Sequence, residues 1–574
     1  MTVTTPTVTT PTAVNAATAA AVDPIAIVRV SPQTAPAESA ADAATPHVER
    51  YGLFEIALAG TADGNPYVDV DLSADFTSAT TGETITVGGF YRGNGDYAIR
   101  FMPLEEGEWC YVTRSAADPA LNGLSGTLIA DPAGENNHGR VLRATDVHRA
   151  ATSATETDPA GSELAFQFSY EDGIRYMPFG TTCYAWTSQS QAVQDQTVET
   201  LVAAPFNKIR MCVFPKFYDF NNADPDVFAY EGSMENGFDH TRFNEELFSN
   251  LDRRIGQLCA LGIEADIILL HPYDKPEWGF SKMSREADIM YLTYMARRYG
   301  AYRNVWWSLA NEYDLMPQKS LEDWRTYARV VMANDAFGHL RSIHNCVTVY
   351  DYNEPWCTHC SIQRVDVTRT TECIADWRRE YGKPVVCDEP GYEGNIYWGW
   401  GSLPATELMR RYWEGLMRCG TVTHGESFID KGDQIWWAHG GTLHGETPAR
   451  IAFMRGIFEN APRAASPLDA DTAPEDVWSV NPVDASQPLN GAMEKAMKFW
   501  DVPVLRAGTD WQLVYFGWYQ QLYREFDLPA GGEYTVDVID TWNMTIDRLP
   551  GTYAGTVRAD LGGRQYMAVR IQRA

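Results

Sequence analysis

The sequence predicts an α/β fold: a (β/α)8 TIM barrel flanked by an N-terminal β-sandwich and a C-terminal β-sandwich-like domain. Three observations predict it. Across residues 164–460, short apolar runs alternate with segments of helical periodicity, and eight such runs can be placed. On either side the helical periodicity stops, and apolar–polar alternation broken by turn residues takes over. No Gly-rich phosphate-binding fingerprint follows a strand, so the doubly wound open sheet is the second choice.

Residues 1–45 are Thr, Ala, Pro and Val with few large apolar side chains, a composition that reads as a disordered tail. Residues 46–135 carry alternating runs such as Phe54-Glu-Ile-Ala-Leu and Tyr97-Ala-Ile-Arg-Phe, the pattern of a small Ig-like sandwich. Residues 136–163 read as a linker. Within residues 164–460 the expected barrel strands are Tyr176–Gly180, Lys208–Val213, Glu264–Leu270, Val305–Leu309, Arg341–His344, Gln363–Val367, Val385–Cys387 and Thr421–Thr423. The clearest helices run from Leu247 to Leu258, over 284–299, and in segments ending at Gly382 and Gly420, glycine being a common helix stop. Residues 461–499 read as a linker. Residues 500–574, with runs such as Glu533-Tyr-Thr-Val-Asp-Val-Ile-Asp, read as a β-domain.

Composition narrows the function. The net charge of −30 repels phosphate backbones, which excludes nucleic acid as an expected partner. No run is long and apolar enough to span a bilayer, so no membrane partner is expected. The start, Met1-Thr-Val-Thr-Thr-Pro, lacks the basic and apolar segments of a signal peptide. Ten cysteines without a disulfide framework read as thiols in a reducing compartment, so a cytoplasmic location is expected. Cys357-Thr-His359-Cys360 looks like half a metal motif, but no second half follows at zinc-ligand spacing. No cofactor and no metal are expected. The sequence sets no oligomeric state, a homo-oligomer included.

Two apolar runs end in carboxylates: Val305-Trp-Trp-Ser-Leu-Ala-Asn311-Glu312 and Pro384-Val-Val-Cys-Asp388-Glu389. In a barrel of parallel strands the active site lies at the carboxyl ends of the strands. Two carboxylates there suit glycoside hydrolysis, one as general acid/base and one as nucleophile. Glu312 is the candidate acid/base and Glu389 the candidate nucleophile. Asn311 can hydrogen-bond a sugar 2-hydroxyl. Asp388 is a rival nucleophile, because neighbouring strand residues point to opposite sides. Glu426, in Thr423-His424-Gly425-Glu426, is another, or a sugar contact beside His424. Arg210, within the second strand, could keep a carboxylate ionised. His271 and Tyr273 follow the third strand and His344 ends the fifth. Tyr184, Trp186, Trp398, Trp400, Trp436 and Trp437 are candidate stacking platforms for a small carbohydrate.

These residues carry a resemblance. The Asn311-Glu312 motif and Lys383-Pro-Val-Val-Cys-Asp-Glu389-Pro resemble the acid/base and nucleophile motifs of the retaining (β/α)8 glycoside hydrolases, with glutamates after strands four and seven. Asp-Glu-Pro stands where many members have Gly-Glu, so Asp388 and Glu426 stay open as nucleophiles. The domain layout, and the stretch Val538-Ile-Asp-Thr-Trp-Asn-Met-Thr-Ile546 with Leu549-Pro-Gly-Thr-Tyr553, are similar to a bacterial glycosidase group with an N-terminal Ig-like domain and a C-terminal β-domain. The resemblance implies double displacement with carboxyl groups about 5–5.5 Å apart. The expectation is an exo-acting enzyme on oligosaccharides or glycosides, furanosides such as arabinofuranosides or galactofuranosides included. A non-catalytic carbohydrate-binding protein on a degenerate barrel is the alternative.

Overall fold

The computed structural model describes residues 26–31, 45–152, 163–432, 435–468 and 502–574. Eight parallel strands form the central barrel: Gly180–Thr182, Lys208–Cys212, Glu264–Leu270, Val305–Ala310, Arg341–Ser342, Cys360–Gln363, Val385–Glu389 and Thr421–His424. They are numbered one to eight below. Each pairs with its sequence neighbour, strand eight pairs with strand one, and the ring closes between strands five and six through one bridge, His344 to Ser361.

Strands two, three, four and seven are buried over their whole length, the charged residues within them included. Helices follow every strand except the fifth: Gln191–Ala203, Glu245–Ala260, Arg285–Tyr299, Leu321–Asn334, Ile374–Tyr381, Ala405–Leu416 and Thr447–Phe458. Several have built starts. Ser320 and Asp323 form a reciprocal capping box, and Asn244 accepts from the N–H of Glu246. Gly382, in the left-handed conformation at φ 59°, stops the helix before strand seven.

Three expectations are corrected. Strand one begins at Gly180, not Tyr176; Arg175–Tyr176 belongs to an antiparallel sheet with Val141–Arg143 and Phe168–Tyr170. That sheet packs Phe168 and Tyr176 on Trp306 and closes the amino-terminal mouth of the barrel. Strand six is Cys360–Gln363, so Gln363 ends it rather than starting it. The helix before strand eight ends at Leu416, and a turn through Cys419 carries the chain on to Gly420.

On the N-terminal side, Leu53–Ala59 and Asp96–Phe101 lie in one sheet and Leu72–Ser78 and Gly107–Ser115 in another. Phe76 of one sheet stacks on Phe101 of the other at 3.9 Å between centroids. Ile27–Val30, inside the segment read as a tail, pairs in parallel with Leu53–Ile56. Most of that tail lies outside the described residues, as do residues 469–499 of the segment read as a linker over 461–499. At the C-terminal end, Val504–Ala507, Trp511–Tyr515, Met567–Arg573, Tyr534–Asp540 and Thr545–Arg548 form an antiparallel sheet around a separate apolar core. No helix among the described residues is long and apolar enough to cross a membrane.

Candidate active site

The carboxyl ends of the barrel strands surround a cavity of about 160 Å3, lined by Glu312, Glu389, Lys216, Tyr273, Gln363, Tyr392, Trp400 and Trp437 among others. Glu312 follows strand four in the left-handed conformation, φ 51° and ψ 55°. That bend turns its side chain into the cavity, where it accepts a hydrogen bond from the Tyr273 hydroxyl. Glu389 ends strand seven. Its Oε1 accepts from the Tyr184 hydroxyl and lies 3.2 Å from His344 Nε2 and 3.5 Å from Arg210 Nη1.

One side chain joins the two carboxylates. The Gln363 amide nitrogen, in the orientation that satisfies its neighbours, stands 3.0 Å from Glu312 Oε1 and 3.2 Å from Glu389 Oε2. Those two oxygens are therefore separated by no more than the sum of the two distances.

The acidities of the two glutamates are shifted in opposite directions. Burial, and then the negative charge of Glu389, push the Glu312 carboxyl above its ordinary value. Burial pushes Glu389 up as well, but His344, Arg210 and Lys216 outweigh it and hold Glu389 below the ordinary value.

Arg210 also donates to Asn311 Oδ1 at 3.2 Å and to the Tyr184 hydroxyl at 3.2 Å. Asn311 keeps a buried Nδ2 with no hydrogen-bond partner. Lys216, 5% exposed, points its ammonium at the cavity over the rings of Tyr184 at 3.7 Å, Tyr273 at 4.3 Å and Trp437 at 4.9 Å.

The expectation that Asp388 and Glu389 face opposite sides is overturned. Strand seven is irregular against strand six: Ile362 pairs with Cys387, but Gln363 pairs with Glu389. This bulge leaves Asp388 as an extra residue, so both carboxylates turn inward. Asp388 lies deeper, 3.0 Å from Lys208 Nζ and bonded by Ser361 at 2.6 Å and Thr423 at 2.7 Å. It does not line the cavity.

The structure thus gathers Glu312, Glu389, Asn311, Arg210, Tyr273, His344, Tyr184, Trp400 and Trp437. It places five sequence candidates elsewhere. Trp186 is buried beside Arg254, and Trp436 donates to Thr181 Oγ1 at 2.8 Å behind strand one. His424 stacks on Phe206, and Glu426 accepts from the N–H of His444 and Gly445, both outside the cavity lining. Trp398 is also absent from that lining. His271 is buried and pushed down to about 3 by burial and then by Lys216, and its Nδ1 accepts from the N–H of Tyr273, so it orients that tyrosine. Cys357, His359 and Cys360 are buried but belong to no metal-ready group; His359 packs on Trp306.

Sequence reasoning missed Gln363, Lys216, Tyr392, Tyr218 and Cys346. Gln363 was legible in principle, as a polar residue in an apolar run, but the strand frame put it at the wrong end. Lys216 sits in a loop with no periodic signal.

A closed parallel barrel with two buried glutamates of oppositely shifted acidity at its carboxyl mouth defines the class: a glycoside hydrolase. Residues 166–427 match the apiosidase-like catalytic domain family. Residues 47–116 match the domain of unknown function DUF5060, and residues 500–572 match DUF5605. A crystal structure from Bacteroides vulgatus ATCC 8482, described as a "putative glycoside hydrolase", is 36% identical at a TM-score of 0.79 and covers 92% of this chain and 100% of its own. A glycoside hydrolase family 5 structure from the same organism is 14% identical at a TM-score of 0.51, covering 72% of this chain and 92% of its own, which shows the shared fold. No curated protein matches the chain. The chain belongs to the glycoside hydrolases.

Proposed function

We propose that this enzyme is a retaining, exo-acting glycoside hydrolase in which Glu389 is the nucleophile and Glu312 the acid/base. The observation that carries the reading is the single Gln363 amide touching both carboxylates. It keeps their facing oxygens closer than the roughly 6.5–9.5 Å that an inverting pair needs to admit a water. The opposite pKa shifts match the two roles, an ionised nucleophile and a protonated acid.

In the first step Glu389 attacks the anomeric carbon while Glu312 protonates the departing oxygen. In the second, Glu312 takes a proton from water, which displaces the sugar from Glu389. Asn311 Nδ2, without a protein partner, is the donor for the hydroxyl next to the anomeric carbon. Tyr218, Tyr392, Trp400 and Trp437 stand tilted or edge to face at 5.0–6.3 Å and wall one side of the small cavity, which supports cleavage of a terminal sugar. The family match to apiosidase-like domains favours a terminal pentofuranose among the candidates. Ten cysteines, all free thiols, support action in a reducing compartment on short saccharides taken into the cell.

The test is nitrophenol release from aryl α- and β-glycosides, apiosides, arabinofuranosides and galactofuranosides included. One glycoside should be turned over with its first product retaining configuration by proton NMR. Glu389→Gln should abolish turnover, and Glu312→Gln should slow it by about 10²–10⁴-fold. An inverted product would sink the double displacement. Turnover surviving in Glu389→Gln would move the nucleophile.

A further inference from the structure

Behind the barrel wall lie two buried glutamates that the proposed reaction does not use. Glu393 and Glu426 are directly paired in a short parallel ladder, at 3% and 1% exposure. Among the described residues no Lys or Arg forms an ion pair with either. Among the described residues their oxygens accept from the run that leads into the last barrel helix: Glu426 from His444 N at 2.5 Å and Gly445 N at 2.8 Å, Glu393 from Glu446 N at 2.8 Å, Thr447 N at 3.1 Å and Thr447 Oγ1 at 2.6 Å.

Capping a helix with its positive amino end explains one carboxylate well. It does not explain two buried carboxyl groups side by side, nor the third member of the group. His424 is fully buried, its Nδ1 lies 2.9 Å from Thr181 Oγ1, and its Nε2 has no hydrogen-bond partner. One ligand atom from each of Glu393, His424 and Glu426 lies within 4.8 Å of the others. Gly445 completes the cradle. A Cβ there would stand 2.4 Å from Glu393 Oε2 and 2.6 Å from Glu426 Oε2, so only glycine leaves that space open.

We propose that Glu393, His424 and Glu426 bind one divalent cation of the zinc type, a structural site distinct from the glutamate pair that does the chemistry. Two carboxylate oxygens and one imidazole nitrogen form the mixed oxygen–nitrogen donor set that such ions take. The surroundings are those of a built site: Thr181 orients the imidazole so that Nε2 is the free nitrogen, and backbone N–H groups hold both carboxylates. The ion would neutralise the paired anions and tie together the loops after strands seven and eight. Those loops carry Tyr392, Trp400 and Trp437 of the cavity wall.

The test uses the full chain without a histidine tag, purified in the absence of chelators, and reads metal content by mass spectrometry. About one equivalent of zinc-type metal per chain is expected, falling at least tenfold in Glu426→Gln and in Glu393→Gln. Stripping the wild type with dipicolinate should lower Tm by several degrees, and ZnCl2, with MnCl2 and CaCl2 as comparisons, should restore it. If either variant fails to fold, the wild-type stripping and reloading alone decide the matter. Equal metal content in wild type and variants would overturn the site. So would a metal-free wild type whose Tm is unmoved by ZnCl2, and the carboxylates would then be helix caps only. None of these readouts depends on turnover, so failure here and failure of the proposed reaction are separable.

Discussion

At the scale of single residues, Glu312 concentrates the cost of the site. It is a non-glycine residue in the left-handed region, a conformation that costs on the order of 1–3 kcal/mol. It is held there by its surroundings: Leu315 N–H bonds back to its carbonyl at 2.9 Å, and Asp314 accepts from the N–H groups of Cys346, Val347 and Thr348 at 2.6–2.8 Å. Its carboxyl is raised by burial and by Glu389. A group raised in the folded state gives stability that is present at low pH and lost as pH rises through the folded value. Glu312→Gln keeps the shape and removes the ionisation. It should therefore be more stable than the wild type at pH 8, by about 0.5–2 kcal/mol, with the gap closing toward pH 4 in a series of thermal melts. A variant less stable than wild type throughout would refute the burial argument. Lys216 sets the second prediction. Its charge pulls both Glu312 and Glu389 down. The kcat/KM profile should be a bell, its acid limb following Glu389 and its alkaline limb Glu312. Lys216→Met should move both limbs to higher pH; an unmoved alkaline limb would show that Lys216 does not act on Glu312.

At the scale of elements, legibility followed burial. Strands three, four and seven are seven, six and five residues long, each built around a run of apolar residues, and their sequence signal is plain; strand five has two residues and strand one has three, and neither has such a run. With strand five too short to frame its neighbour, the sequence places strand six three residues late and leaves Gln363 out of the site. The bulge that turns both Asp388 and Glu389 inward was invisible for another reason: side-chain alternation assumes a regular ladder, and the partner strand is not in the local sequence. What the sequence did show was charge inside apolar strands. Lys208, Arg210, Asp266 and Asp388 meet in the barrel, with Lys208 Nζ 2.7 Å from Asp266 and 3.0 Å from Asp388. Asp388 is held below its ordinary value because Lys208, Arg210 and His344 together outweigh burial. Asp388→Leu would strand Lys208 in the barrel with one partner fewer. It should cost about 3–5 kcal/mol in denaturant unfolding, the penalty for breaking a buried pair. A loss under about 1 kcal/mol would mean that Asp266 alone neutralises Lys208.

At the scale of the whole molecule, the flanking β-regions are packed onto the barrel rather than strung beside it. On the N-terminal side Arg100, 1% exposed, bonds Glu55 at 2.9 Å, Asp252 at 2.7 Å and the carbonyl of Arg298 at 2.9 Å, so a sandwich residue completes a barrel charge cluster. On the C-terminal side the covered surface is the helix Ala405–Leu416. Ten of its 12 residues are buried, far more than a barrel helix facing water on one side would bury. Trp413 of this helix stacks on Tyr515 at 5.1 Å and 22°, and Arg410 lies 4.1 Å over the ring of Trp518. Arg450, on the next helix, lies 3.6 Å over Trp542. The helix Ala405–Leu416 precedes strand eight, whose carboxyl-end loop carries Trp437, so docking of the C-terminal sheet and the cavity wall share one support. If that docking stabilises the barrel, the Trp413–Tyr515 pair should be coupled beyond the area each ring buries. A double-mutant cycle with Trp413→Leu, Tyr515→Leu and the pair, read by denaturant unfolding, should give a coupling of about 0.5–1.5 kcal/mol. Additive single-mutant losses would mean that the two rings are neighbours without being partners, and the barrel and the C-terminal sheet would then be expected to melt in separate transitions.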